Sequence, residues 1–187
     1  MNKRCTWPNN NLLMVEYHDK EWGVPVHDDQ KLFEFLILEG AQAGLTWQTV
    51  LNKRENYRKA FNDFNPSKIA EYGEEEIQSL LANPGIIRNK LKITVAIQNA
   101  KMFLKIQKEF GSFDAYIWQF VGNKPIKNKF SSFEKIPAST EESDAMSKDL
   151  LKRGFKFVGA TICYAFMQAV GMVNDHQTNC FRYNEIK

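Results

Sequence analysis

The stretch that most constrains this chain begins at Ser143 with SDAMSKDLLKRGFKFVGATICYAFMQAV and runs to about Val173. Met146, Leu150 and Leu151 recur at helical spacing. Lys152 and Arg153 then put cations in a last turn, and Gly154 follows as a helix stop. Gly159 opens a second apolar run, Ile162, Ala165, Phe166 and Ala169. The pattern predicts helix, tight hairpin at Arg153–Gly159, helix. A glycine at a helix start lets a phosphate approach free backbone N–H groups, where the helix dipole also favours an anion. Lys152, Arg153 and Lys156 surround that spot, while Phe155 and Phe157 are placed to anchor the hairpin in a core. Such a helix–hairpin–helix holds a DNA backbone without reading its sequence. An ordinary αα-turn with solvated cations fits the same pattern.

The 187 residues suffice for one domain or two small lobes with a sizeable core, and the formal net charge of +3 is compatible with a nucleic-acid partner without requiring one. No apolar run reaches transmembrane length, and MNKRCTWPNN has no apolar stretch of the signal-peptide kind, so a cytoplasmic protein without a membrane partner is expected. Three cysteines, an odd number, argue against a disulfide framework.

Before the organising stretch, the chain reads as a series of helices. Residues 1–25 are irregular or partly helical and dense in Trp7, Tyr17, His18 and Trp22. Asp28 or Asp29 caps QKLFEFLILEGAQAG, in which Leu32, Phe35, Leu36 and Glu39 share one face. Thr46 caps WQTVLNKRENYRKAF, read as one helix. Asn65-Pro66 starts a short helix, Gly73 precedes EEEIQSLLAN, and Asn83-Pro84-Gly85 is a turn. A long helix is expected from about Ile87 to Phe110, Ser112 caps the next, and Gly122–Pro137 is a polar loop. Ser139-Thr140-Glu141-Glu142 reads as a capping box. Sustained strand alternation is absent, so the fold class is all-α.

Three constellations could carry chemistry. Cys5 and His18 near one end and His176 and Cys180 near the other make a Cys₂His₂ set, the ligand types and number of a closed tetrahedral zinc site. Two surface histidines and two inert thiols are the alternative. Cys163 reads as a core residue and His27 as exposed. Glu39 lies on the most apolar face of its helix, near Trp47, Trp7, Tyr17 and Trp22 in sequence. It either escapes to solvent at the helix end or is buried and needs a donor, which a purine exocyclic amine or a cationic base would supply. Ala43-Gly44-Leu45 presents a leucine on a glycine turn, either as a contact into the core or as an apolar wedge into a DNA stack.

Taken together, RCTW, YHDKEWGVP, LEGAQAGLTWQTVLNKRENYR, GIIRNKLKI, IPAST, SDAMSKDLLKRGFKFVGATICY and VNDHQTNC resemble the 3-methyladenine DNA glycosylase I family of the helix–hairpin–helix glycosylases, over essentially the whole chain. The resemblance implies a single glycosylase domain over 1–187, acting as a monomer on double-stranded DNA. It implies one structural zinc held by Cys5, His18, His176 and Cys180. It implies monofunctional hydrolysis of the N-glycosidic bond of 3-methyladenine, with Glu39 as the catalytic and base-binding carboxylate. Tyr17 and Trp47 become the stacking and packing walls of the base pocket, with Trp7 and Trp22 beside them. Gly44, Leu45, Gly154, Lys156 and Gly159 become DNA contacts.

The chain departs from the wider superfamily in three places. Lys156 replaces the second glycine of the Gly-hydrophobic-Gly hairpin. Val158 stands where bifunctional members carry a lysine that attacks the sugar. Asp175 lies at about the position of the superfamily's catalytic Asp but adjoins His176. Met14 also stands where a third aromatic of the pocket is expected. Two competing expectations are a zinc-stapled DNA-binding module without catalysis, which would need no carboxylate beside an aromatic box, and a bifunctional glycosylase/lyase, which Val158 disfavours.

Overall fold

The computed structural model describes residues 3–186, so the expected domain limits at 1 and 187 lie outside the described residues. The chain is mostly helical: α1 Leu12–Lys20, α2 Asp29–Gln42, α3 Trp47–Leu51, α4 Arg54–Ala60, α5 Pro66–Ala70, α6 Glu74–Ala82, α7 Lys90–Phe110, α8 Phe113–Ile117, α9 Glu141–Lys152, α10 Ala160–Ala169 and α11 Arg182–Glu185. Short polar side chains start most of them. Asn11, Asp28, Thr46, Asn65, Asn89, Ser112 and Thr140 each accept a first-turn N–H, which supplies a partner that the helix cannot.

At the centre stands α2. Every residue from Leu32 to Ala41 is buried, so this helix is enclosed on all sides rather than along one stripe. It packs against α3, α7, α8 and α10. Phe33, Leu32 and Leu38 have no exposed surface, and burial of each such side chain contributes about 1.5–3 kcal/mol. The N-terminal segment then lies along the end of α10. Gly23 N–H donates to Gln168 O at 3.0 Å and Val26 N–H to Val170 O at 3.0 Å. Gly171 makes that approach possible: its φ is +73°, and a Cβ there would sit 2.4 Å from the Val24–Pro25 backbone.

The organising stretch folds as two helices about a tight connection. α9 ends with Gly154 at φ +94°, where Gly154 N–H donates to Leu151 O and Phe155 N–H to Leu150 O, both at 3.0 Å. This is a Schellman cap. Phe155 is fully buried, but Phe157 is only half-buried and has φ +52°.

Several local expectations are corrected. The expected single helix from Trp47 to Phe61 is two, α3 and α4, separated at Asn52 and Lys53. α7 begins at Lys90, because Asn89 caps it through Lys92 N–H. The capping box pairs Thr140 with Ser143, not Ser139 with Glu142, since Thr140 N–H donates to Ser143 Oγ at 2.8 Å. Leu151 is 48% exposed and belongs to no core face. One parallel pair of two-residue strands, β1 Ile126–Lys127 and β2 Val173–Asn174, interrupts the polar loop. Two residues are too few to leave an alternation in the sequence.

Candidate active site

α1 presents Met14 and Tyr17 at i and i+3 to a cavity of about 250 Å³. Trp7 and Trp22 reach it from the segments flanking α1, Glu39 and Gln42 from the last turns of α2, and Trp47 from the start of α3. Ala165 and Gln168 of α10 and Phe133 of the loop close it. The aromatic rings touch edge to face or tilted: Trp7–Trp22 centroids are 5.1 Å apart, Tyr17–Trp47 5.3 Å and Trp7–Tyr17 6.2 Å. Thus Tyr17, Trp47, Trp7, Trp22 and Glu39, scattered over some forty positions of sequence, line one cavity. Phe133, Gln42, Gln168 and Ala165 were not legible as wall residues. Gln42 could have been suspected from its place three residues after Glu39 on the same helix, whereas Phe133 and Gln168 arrive through tertiary packing alone.

α2 buries two carboxylates with opposite provision. Glu34 accepts from Arg58 Nη2 at 2.7 Å and Lys31 Nζ at 3.0 Å. Glu39, 4% exposed, has no hydrogen-bond partner among the described residues. Burial pushes its carboxyl up to about 8, which holds a proton on it at neutral pH. Burial, with Glu39 and Glu21 nearby, likewise keeps Tyr17 a neutral phenol. The indole Nε1 atoms of Trp7 and Trp47 are also buried without a protein acceptor. The cavity therefore holds one carboxyl without a protein partner and two buried N–H donors without acceptors; such buried donors are rare, and the set fits a ligand that supplies the missing partners.

A second cavity, about 210 Å³, shares Glu39, Gln42 and Ala165 with the first and adds Ala43, Gly44, Leu45, Thr161 and Ile162. The Gly44–Leu45 turn thus faces the first turns of α10, and Leu45 is 40% exposed. At the hairpin, Lys156 and Gly159 are exposed. Gly159 caps α10 without a side chain, and a Cβ there would meet nothing within 4 Å. The N–H groups of Gly159, Ala160 and Thr161 have no protein acceptor among the described residues. The Gly154 N–H, by contrast, is engaged by Leu151, so this glycine shapes the turn and has no donor to offer a ligand. Asp175 does not face the cavity chemistry either. It is buried and accepts from Tyr164 Oη at 2.6 Å, Gln168 Nε2 at 2.8 Å and Asn128 Nδ2 at 2.7 Å.

The ends of the chain meet behind the aromatic wall. One ligand atom from each of Cys5, His18, His176 and Cys180 lies within 4.8 Å of the others, all four residues buried. Cys5 Sγ is 3.5 Å from His176 Nδ1, and Cys180 Sγ is 3.5 Å from His18 Nε2. A tetrahedral ion bonded at about 2.0–2.3 Å requires edges of about 3.3–3.8 Å, which these thiol–imidazole distances meet. The outer nitrogens are engaged as in metal sites. His18 Nδ1 lies 2.7 Å from Asp19, which Arg4 grips, and His176 Nε2 lies 3.0 Å from Trp22 O. Hydrogen bonding from Cys5 pulls the Cys180 thiol down and favours its thiolate. Cys163 is a core thiol that donates to Val158 O at 3.2 Å, and His27 is exposed against Asp114.

Residues 7–183 match the family described as methyladenine glycosylase. DNA-3-methyladenine glycosylase 1 of Escherichia coli K12 is 50% identical over 181 residues, 97% of each chain. Among solved structures, a 3-methyladenine DNA glycosylase I with 53% identity superposes with a TM-score of 0.93 over 96% of this chain and 98% of that one. A Staphylococcus aureus enzyme whose structure concerns 3-methyladenine recognition has 33% identity and a TM-score of 0.92 over 95% of each. With that identity along nearly the whole length, the chain belongs to the methyladenine glycosylase family.

Proposed function

We propose that this protein is a monofunctional DNA-3-methyladenine glycosylase that starts base excision repair of alkylated DNA. The observation that carries the reading is Glu39: a buried carboxyl without a protein partner, set in a box of Tyr17, Trp47, Trp7 and Trp22. Methylation at N3 leaves the nucleoside cationic and its glycosidic bond weak. Water forms a bond to C1′, the C1′–N9 bond breaks, and its electron pair stays on N9, so the base departs neutral. Strong acid catalysis is unnecessary. The protein's work is to extrude the nucleotide and hold the base.

An electron-rich aromatic box favours a cationic base over adenine by about 0.5–2 kcal/mol. Glu39 accepts the exocyclic N–H, and the cationic base lowers the carboxyl's hold on its proton, which passes to solvent, so that an unfavourable burial becomes a charge-assisted hydrogen bond and Coulomb contact. The indole N–H groups of Trp7 and Trp47 suit ring-nitrogen acceptors. Outside the pocket, α9, the connection and α10 act as a helix–hairpin–helix that grips double-stranded DNA. Lys156 supplies charge, the free amides at Gly159 and the start of α10 meet a phosphate, Gly154 fixes the turn, and Leu45 on Gly44 enters the stack. Cys5, His18, His176 and Cys180 hold one zinc, which supplies a structural crosslink between the chain ends and, as a closed site, no reacting position. The chain works as a single glycosylase domain and a monomer in the cytoplasm. Support for the monofunctional reading is Val158, 1% exposed and without an amine.

Incubation with methylated duplex DNA, followed by chromatography of the released bases, tests the proposal. Free 3-methyladenine is expected; its absence overturns the activity.

A further inference from the structure

α7 carries two polar side chains seven residues apart, and hence on one face: Lys92 and Asn99. Each is bonded to the backbone of a different loop. Asn99, 2% exposed, donates from Nδ2 to Lys156 O at 2.9 Å and accepts from Lys156 N–H at Oδ1, also at 2.9 Å. One side chain thus fixes both backbone groups of the hairpin's middle residue, as a neighbouring strand would. The next residue, Phe157, is held in the left-handed region at φ +52°, which a side chain adopts only when its surroundings enforce it. About two turns earlier on the same helix, Lys92 Nζ donates to Ala41 O and Ala43 O, both at 2.7 Å. These carbonyls end α2, where a cation is also favoured by the dipole. The chain runs from there directly into Gly44 and Leu45.

The last turns of α2 also pack against the hairpin. A Cβ on Gly40 would stand 3.4 Å from Phe157 Cβ. An apolar cavity of about 20 Å³ between α2, α7 and the hairpin is lined by Gly40, Ala41, Lys92, Ala96, Asn99 and Phe157. It is too small for a base and reads as the residue of a close fit.

We propose that Lys92 and Asn99 are positioning residues: α7 acts as a ruler that sets the distance between the Gly44–Leu45 turn and the hairpin, so that the leucine enters the duplex that the hairpin has docked. The inference rests on the glycosylase reading above. Neither side chain touches the base in this scheme, since neither lines the aromatic cavity.

Three measurements on the full chain separate positioning from general stability: affinity for methylated and undamaged duplex, affinity for free 3-methyladenine, and single-turnover excision. Asn99→Leu, and the nearly isosteric Asn99→Asp that retains only the acceptor, should weaken both duplexes alike by about tenfold, the equivalent of one or two lost hydrogen bonds. Free-base affinity should stay within about twofold, as remote sites usually act independently. Lys92→Met should slow excision by about tenfold with undamaged-duplex affinity little changed, because the wedge acts after docking. Lys92→Arg, able to donate to both carbonyls, should recover most of the rate. Parent-like duplex affinity in both Asn99 variants overturns the ruler. So does a parallel fall in free-base and duplex affinity, which would mark a loosened core. If the parent itself binds no duplex, the glycosylase reading fails, and the ruler with it.

Discussion

Glu34 and Glu39 show how little a residue's type says about its task. They lie five positions apart on one buried helix, yet the first is matched by Arg58 and Lys31 and the second by nothing among the described residues. The raised carboxyl of Glu39 has a consequence for folding. Unfolded, it would ionise near 4.5, whereas in the fold it does so at about 8. The folded state therefore holds the extra proton between these values. Its contribution is fully favourable below about 4.5 and is lost as pH rises through 8. Glu39→Gln should match the parent at pH 4–5 and exceed it by about 1–3 kcal/mol above pH 8, read from denaturant unfolding at the two pH values. A difference between parent and variant that does not change with pH would show that the carboxyl is solvated. In binding above pH 8, where the carboxyl is ionised, the same substitution should weaken free 3-methyladenine by about tenfold or more, since hydrogen bonds to charged groups contribute roughly 1.5–3 kcal/mol. Tryptophan fluorescence can follow the titration, and equal affinities would move base recognition elsewhere. At Val158, the absence of an amine predicts that borohydride traps no enzyme–DNA adduct.

At the scale of elements, the pair α9–α10 separates residues that shape its connection from groups that its connection leaves open. Gly154 and Asn99 shape the hairpin, while Lys156 and the amides at Gly159 remain exposed or unpaired. Lys156→Ala should weaken methylated and undamaged duplexes by similar factors and reduce the salt slope by up to about one unit. Loss of lesion discrimination at unchanged salt dependence would contradict a phosphate contact. Gly154→Ala acts differently. It forces a side chain to φ +94° with its Cβ 3.2 Å from Met102 Sδ, and should cost about 1–2 kcal/mol or more in stability.

For the whole molecule, the joining of its ends matters most. The Cys₂His₂ cluster brings the segment before α1 and α1 itself together with the segment after β2, and its outer contacts reach the pocket wall: Trp22 gives its carbonyl to His176, and the Trp7 ring lies 5.5 Å from that of His18. Purified protein should contain one equivalent of zinc. Cys180→Ser should lower thermal stability far more than Cys163→Ser, because only the first removes a ligand, and should release the metal. Equal small effects, with less than about half an equivalent bound in the parent, would exclude the four-ligand site.

The helical character, the caps at Asp28, Thr46, Asn65 and Ser112, and the glycine at Gly154 were legible in the sequence because each depends on neighbours within one or two turns. The order of the motif segments also identified the family, since so many matches in register are specific. The aromatic box was legible as a set of residues but not as a surface. Trp7, Trp47 and Gln168 converge only because α1, α3 and α10 pack around a fully enclosed α2, and no local spacing encodes that enclosure. Phe133 entered the wall for the same reason, from a loop without periodicity. The break between α3 and α4, and the half-burial of Phe157, followed from packing that overrode local propensity. The sequence by itself determined which groups this protein has for chemistry. Tertiary structure decided which of two buried glutamates on one helix received a guanidinium and which was left without a partner among the described residues, because Arg58 comes to Glu34 from another helix and no such group comes to Glu39.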